Sequence, residues 1–488
     1  MKSKNGIMIN IDCCTSINPF INALANRGAV TEEDLYPMVD PYADTQVTDL
    51  FINTFAQYSN TPSKVFSDAI AKYLQKEENG EAVDYTEWNR GLYVLNTKLG
   101  IDPFDVWFRR TWKKGMRPWL SVRMNDCHFP DAKTSFIRSD FFYEAKEKGY
   151  MIGNEYGYHR CCLNYKYREV RQKFLDYIRE QLERYDVYGL ELDFQREIYC
   201  FDYIHEPDCH KYMTEFLRGA KAQVEECEKK WGHPIKIAIR LMRDIAQNKS
   251  FGFDVHAMTA EHLVDTIVVT PRFSTSDSNM PISEWVEAFP DTDIVAGVET
   301  CVNRIGDKSW GSPEVVRGFA ATYMSEGSNG IYLYNYFWPQ RGRIAEIYPT
   351  SGDIETVIRY PRRHVVTYQD IAPVGYKSWK PLPLIAQNTE ISINIGVPSK
   401  IVSLVIGLDS ESSIDAVALK VNGAPIEAWS ETRRGYEANE IYAPDGTQLY
   451  ITSLPEAAID GERSLTLSFD AKTGHKAAMI VYIEADTY

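Results

Sequence analysis

Eight short apolar runs, each of strand length, punctuate the first 336 residues of the 488-residue chain. They are Gly6–Asp12, Asp49–Thr54, Pro118–Arg123, Gly189–Phe194, Ile235–Arg240, Asp265–Thr270, Asp293–Val298 and Gly330–Asn335. Each is rich in β-branched or aromatic residues, as a buried strand should be. The material between them has helical periodicity. Val170, Phe174, Ile178 and Leu182 recur every four residues and predict an amphipathic helix over Glu169–Tyr185. Thr214–Lys230 and Ser312–Met324 read the same way. Strand alternating with helix implies parallel strands joined by crossovers. Eight such units predict an α/β fold, a (β/α)8 TIM barrel. The competing doubly wound open sheet usually has a glycine-rich phosphate loop after its first strand, and Cys13-Cys14-Thr15-Ser16 contains no glycine.

Two insertions interrupt the barrel pattern, Ser59–Lys114 between the second and third runs and the aromatic-rich Phe129–Tyr167 between the third and fourth. Loops of that length in a compact domain are usually lids or subunit contacts. After Tyr376 the texture changes. Prolines cluster in Lys380-Pro-Leu-Pro383, and period-two runs follow at Ile391–Ile395, Ser403–Gly407, Ala416–Val421, Ser464–Ser468 and Ala478–Ile483. Turn signals stand between them at Asn422-Gly423 and Asp445-Gly446. The expectation is a barrel domain over 1–375 and a small all-β sandwich over 376–488, the latter structural in role.

Charge and cysteine content narrow the function. A net charge of −15 repels phosphate backbones and argues against nucleic acid as a partner. No run of 18 or more apolar residues offers a membrane span. The segment Met1–Asn10 lacks the long apolar core and cleavage site of a secretory signal. Nine cysteines, with adjacent pairs at Cys13-Cys14 and Cys161-Cys162, read as reduced thiols and predict a cytoplasmic protein. Without a CxxC pair or an HExxH motif, neither a metal nor any other cofactor is expected. Aromatic residues make up 13% of the chain, which suits either a sugar-binding site or a large core.

In a TIM barrel the chemistry sits where the strands end. Here the ends carry Asp12, Asn53, Arg123 with Asn125, Asp126 and His128, Asp193 with Arg196, Arg240, Arg272, Glu299 and Asn335. One polar strand end can be a helix cap or a structural ion pair, whereas a ring of eight indicates a site. Guanidinium groups bind carboxylates through paired hydrogen bonds, so Arg123 and Arg196 suggest an anionic ligand; each arginine could instead neutralise a neighbouring aspartate. His128 is a candidate acid or base. Asp12, with no basic neighbour in sequence, is a candidate general base, or else a cap for the next turn. Glu191 and Asp193 alternate on one side of the fourth strand, a pattern common in barrel glycosidases, and form the rival catalytic pair. His159 and Arg160 are reserve candidates in the long loop.

The motifs Arg123-Met-Asn-Asp-Cys-His128 and Gly189-Leu-Glu-Leu-Asp-Phe-Gln-Arg196 resemble those of barrel glycosidases, and more narrowly the sialidases of glycoside hydrolase family 156. The resemblance runs through residues 6 to 340. It implies release of terminal sialic acid with inversion, and a homodimer. It assigns catalysis to Asp12 and His128 and substrate contacts to Arg123, Arg196 and Asn335. Asn125, Asp126, Glu191, Asp193, Arg240 and Glu299 complete the expected sugar-binding set. An acidic oligosaccharide or sialoside is thus the expected substrate. A uronide-cleaving glycosidase and a non-catalytic carbohydrate-binding barrel are the alternatives, and a tyrosine nucleophile from Tyr334 or Tyr336 stays open.

Overall fold

The eight apolar runs form eight parallel strands: β1 (Ile7–Ile11), β2 (Val47–Phe55), β3 (Arg117–Arg123), β4 (Gly189–Asp193), β5 (Lys236–Leu241), β6 (Thr266–Val269), β7 (Asp293–Glu299) and β8 (Ile331–Tyr334). They join in chain order into a closed barrel. The computed structural model describes residues 5–27, 29–71, 86–128, 130–131, 138–195, 197–271, 278–299, 312–336, 343–366, 382–432, 446–454 and 461–488. Arg196, Arg272, Tyr376, Lys380 and Asp445 lie outside the described residues, as does the expected domain boundary near residue 375.

Residues pack as two compact units, one of Met8–Thr270 with Phe289–Asp293, the other of Met1–Ile7, Pro271–Ala288 and Ile294–Tyr488. In the first, the expected helices appear at Arg168–Arg184 and His210–Trp231. Val170, Phe174, Ile178 and Leu182 are all buried, so the four-residue stripe faces inward. Gly232, at φ 78°, ends the second of these helices in the left-handed conformation that favours glycine. The insertion Ser59–Lys114 contains helices Thr86–Tyr93 and Pro103–Lys113. The side chain of Asp102 caps the latter by accepting from the Phe104 and Asp105 amides, with Pro103 in the first turn. Asp102 also accepts from Tyr185 at 2.8 Å, and burial raises its carboxyl above the usual range. The second insertion holds helix Asp140–Glu147 and the 3₁₀ segment Asn154–Cys161. Much of the aromatic content fills this core; Phe55, Phe66, Phe174 and Tyr177 pack ring on ring with centroids 4.7 to 5.6 Å apart.

In the second unit, helix Pro313–Ser325 packs against strand Arg362–Val366. Beyond it lie two antiparallel sheets. One has strand Met479–Thr487 at its centre, paired with Ile401–Leu408, Leu384–Ile385 and Arg362–Val366. The other runs Thr389–Asn394, Ser464–Ala471, Val417–Val421, Ala424–Ile426. Leu404 and Ile406 of the first share one buried core with Leu419, Leu465 and Leu467 of the second, which makes the module a β-sandwich. The tight turn at Asn422-Gly423 joins two paired strands, both residues at positive φ. The seven described cysteines are free and buried. No described helix is long and apolar enough to cross a membrane.

Candidate active site

Side chains two apart on a strand share a face. Asn10, Ser121 and Glu191, on β1, β3 and β4, meet in one buried cluster. Asn10 Nδ2 donates to Ser121 Oγ at 3.2 Å and to Glu191 Oε2 at 2.9 Å, and the Ser121 hydroxyl donates to the same carboxylate oxygen. Two residues further along these strands come Asp12, Arg123 and Asp193, at the end where a barrel carries its chemistry. Asn53 stands opposite Ser121 in the β2–β3 register and is fully buried. Its amide has no hydrogen-bond partner among the described residues.

At the upper level two ion-pair systems form. Arg123, Asp193 and Arg240 stand in register across β3, β4 and β5. Arg240 holds Asp193 by two parallel bonds, Nε to Oδ1 at 2.8 Å and Nη2 to Oδ2 at 3.0 Å. Arg123 turns the other way. Its Nη2 lies 3.0 Å from Asp12 Oδ1 and its Nη1 3.6 Å from Asp126 Oδ2. Asp126 in turn accepts, at Oδ1, from the His128 amide at 3.1 Å, from Gln57 Nε2 at 3.1 Å and from the His128 ring at Nδ1. A continuous path thus runs from Asp12 through Arg123 and Asp126 to His128.

Exposure changes along that path. The side chains of Arg123 and Asp126 are 4% and 2% exposed, whereas Asp12 is 11% and His128 33% exposed. The two ends of the path, Asp12 and His128, are thus more exposed than its middle. Because an ionised carboxylate only accepts, Asp126 fixes the His128 tautomer with the proton on Nδ1 and leaves Nε2 for chemistry. The backbone carbonyl of Asp12 accepts from the Ser16 and Ile17 amides, and its side chain reaches Arg123.

The other expected residues are placed as follows. The Asn125 amide is committed to the backbone, donating to Leu163 and Tyr199 carbonyls at 2.9 Å each and accepting from the Leu163 amide at 2.9 Å. It ties the loop after β3 to the loop after β4. Glu299 ends β7, and Asn335 follows β8 in a left-handed conformation with φ 65°. Asn10, Ser121 and Gln57 are site residues the sequence reading overlooked. For Asn10 a signal existed, a polar side chain two positions before Asp12 in an otherwise apolar strand. For Gln57 there was none, since its role comes from a left-handed backbone, φ 71°, just after β2.

A cavity of about 20 Å³ borders Gln57, Arg123 and Asp126, with room for one water and not for a sugar ring. The C-terminal sandwich carries a larger hollow of about 650 Å³, lined by Thr389, Lys420, Ser468 and Asp470 among others. Among the described residues its aromatic lining residue, Phe469, is buried and offers no exposed ring for a sugar to stack on.

No protein-family model matches the sequence, and no curated protein matches it. Among solved structures the chain is similar to a GH138 enzyme targeting pectin rhamnogalacturonan II, with a TM-score of 0.39 and 10% identity over 70% of this chain and 36% of that one. This chain therefore spans about a third of that enzyme's length. It is similar also to the PgaB (BpsB) glycoside hydrolase domain from Bordetella bronchiseptica, with a TM-score of 0.41 and 10% identity over 72% of this chain and 99% of that one. A third is chitinase ChiA74 from Bacillus thuringiensis, with a TM-score of 0.39 and 10% identity over 99% of this chain and 100% of that one.

Proposed function

We propose that the chain is a glycoside hydrolase that releases a terminal anionic sugar, sialic acid, with inversion at the anomeric carbon. The observation that carries this reading is the path from Asp12 through Arg123 and Asp126 to His128, with its two ends reachable from solvent. An inverting hydrolysis needs a base that takes a proton from water and an acid that protonates the leaving oxygen. In this reading the Asp12 carboxylate takes the proton as the water oxygen bonds to the anomeric carbon. The His128 imidazolium gives its Nε2 proton to the glycosidic oxygen as the carbon–oxygen bond breaks. Arg123 orients Asp12, and Asp126 orients His128. The sugar assignment rests on the motif resemblance alone.

One observation favours a second reading. Arg123 and Arg240 both already hold carboxylates, so neither guanidinium carries a charge surplus toward a ligand, and with the His128 imidazolium the cluster of these two arginines with Asp12, Asp126 and Asp193 sums to zero. That balance favours an uncharged glycoside. A panel of fluorogenic sialosides, uronides and neutral hexosides separates the readings, with the anomer first released followed by proton NMR. Turnover of sialosides with inversion is the expected result. Turnover of uronides or neutral glycosides alone would transfer the mechanism to another sugar. Product of retained configuration, or full rate in both Asp12→Asn and His128→Ala, would overturn the acid and base assignment.

A further inference from the structure

We propose that Cys127, His159 and Glu197 form a binding site for a divalent transition-metal ion of the zinc class. One thiol sulfur, one imidazole nitrogen and one carboxylate oxygen from these residues all lie within 4.8 Å of one another. They converge from three segments: the loop after β3, the 3₁₀ segment Asn154–Cys161 and the loop after β4. None of the three donors belongs to the path proposed for hydrolysis, and this inference does not depend on that reading.

The donor set selects the ion. Sulfur, nitrogen and oxygen together suit borderline ions such as Zn²⁺, whereas Mg²⁺ and Ca²⁺ take oxygen. Geometry is compatible. Zinc bonds of about 2.0 to 2.3 Å in a tetrahedron put donors ~3.3 to 3.8 Å apart, so the cluster need contract by only ~1 Å or so at its widest. His159 Nε2 and Glu197 Oε2, now paired directly at 2.9 Å, would open by ~0.4 Å to take the ion between them.

The surroundings hold these donors in place. Cys127 is buried, and the side chains of His159 and Glu197 are 13% and 5% exposed. The His159 ring stacks on Tyr199, centroids 4.2 Å apart at 27°, and meets Tyr158 edge-on at 5.3 Å. The imidazole and the carboxylate already pair with each other, and a dication would take the place of the proton they share. Because a thiolate rather than a thiol binds the ion, metal binding would displace a proton from Cys127. Cys127 stands between Asp126 and His128 in sequence, so the bound ion would brace the loop that carries this dyad.

The test uses the full chain, reduced and stripped with chelator, titrated with Co²⁺ as a spectroscopic probe and with Zn²⁺ by calorimetry. The expected result is one ion per chain, a thiolate-to-cobalt charge-transfer band and tetrahedral ligand-field bands in the visible. Cys127→Ser should abolish the charge-transfer band. Glu197→Gln and His159→Gln should each weaken zinc by at least ~100-fold while the circular dichroism stays unchanged. Zinc should raise the melting temperature of the wild type and not of these variants. Absence of a cobalt–thiolate band in the wild type would overturn the site. So would a band and stoichiometry unchanged in both Glu197→Gln and His159→Gln, which would trace binding to other cysteines.

Discussion

Arg240 grips Asp193 by both oxygens inside the barrel, with the two side chains 5% and 0% exposed. Two ions so deeply withdrawn from water stabilise each other chiefly by preventing an uncompensated buried charge. Replacing one partner should therefore be far worse than replacing both. Arg240→Met is expected to lower the unfolding free energy by about 3–5 kcal/mol. The double variant Arg240→Met/Asp193→Leu should lose clearly less than the sum of the single changes. Urea denaturation of the four proteins measures the coupling directly. Additive losses would mean that the pair is not coupled and that Arg240 is free to serve a ligand.

The Asp126–His128 contact makes a different prediction, about rate. Asp126→Asn keeps the size of the side chain and removes the carboxylate that orients the His128 ring. If the proposed hydrolysis holds, kcat on its substrate should fall by about 10²–10⁴ with KM little changed. His128→Ala should fall as far, and added imidazole should restore part of its rate. A variant at either position with wild-type kcat would remove the dyad from the mechanism.

Sequence and structure agree where the physics is local. All eight barrel strands are legible to within two residues because a buried parallel strand is a short apolar run, whatever its partners. The strand ends are legible for the same reason, since Asp12, Arg123 and Asp193 interrupt those runs. Pairings between strands are not. Whether Arg240 faces a ligand or Asp193 depends on the β4–β5 register, which no local pattern specifies. Asn125 looks like a ligand contact and is a backbone tie, because its partners lie 38 and 74 residues away. The Cys127, His159 and Glu197 cluster is invisible to spacing rules, which detect ligands only when they share one turn or one hairpin.

Gly318 tests how tightly the second unit is packed. A Cβ on this residue would fall 2.1 Å from the Arg363 carbonyl oxygen, a backbone atom that cannot swing aside. Helix propensity alone favours alanine over glycine by ~1 kcal/mol, whereas overpacking against a fixed neighbour costs about 1–3 kcal/mol and occasionally more. At 2.1 Å the clash should win. Gly318→Ala is expected to be destabilised by about 1–2 kcal/mol net, read as a shift in denaturation midpoint. A variant as stable as the wild type would show that the helix Pro313–Ser325 can move off strand Arg362–Val366.

His364, on that same strand, should set part of the acid sensitivity of the fold. It is buried, with Nε2 3.3 Å from Thr487 Oγ1. Burial, reinforced by the nearby Arg362 charge, pulls its pKa down from 6.5 to about 3. In the unfolded chain the ring titrates near its ordinary value of about 6.5, so between that pH and about 3 the unfolded state binds a proton that the folded state refuses. Stability is therefore complete above pH ~6.5 and falls progressively as the pH drops toward the folded value. At pH 5 the gap of about 1.5 pH units below the unfolded pKa corresponds to ~2 kcal/mol. His364→Gln removes the titrating group. Its stability relative to the wild type should thus improve by ~2 kcal/mol between pH 7.5 and pH 5, whatever the substitution costs at neutral pH. Urea midpoints at the two pH values decide the matter, and parallel pH profiles for the two proteins would show that His364 takes up its proton in the folded state as readily as in the unfolded one.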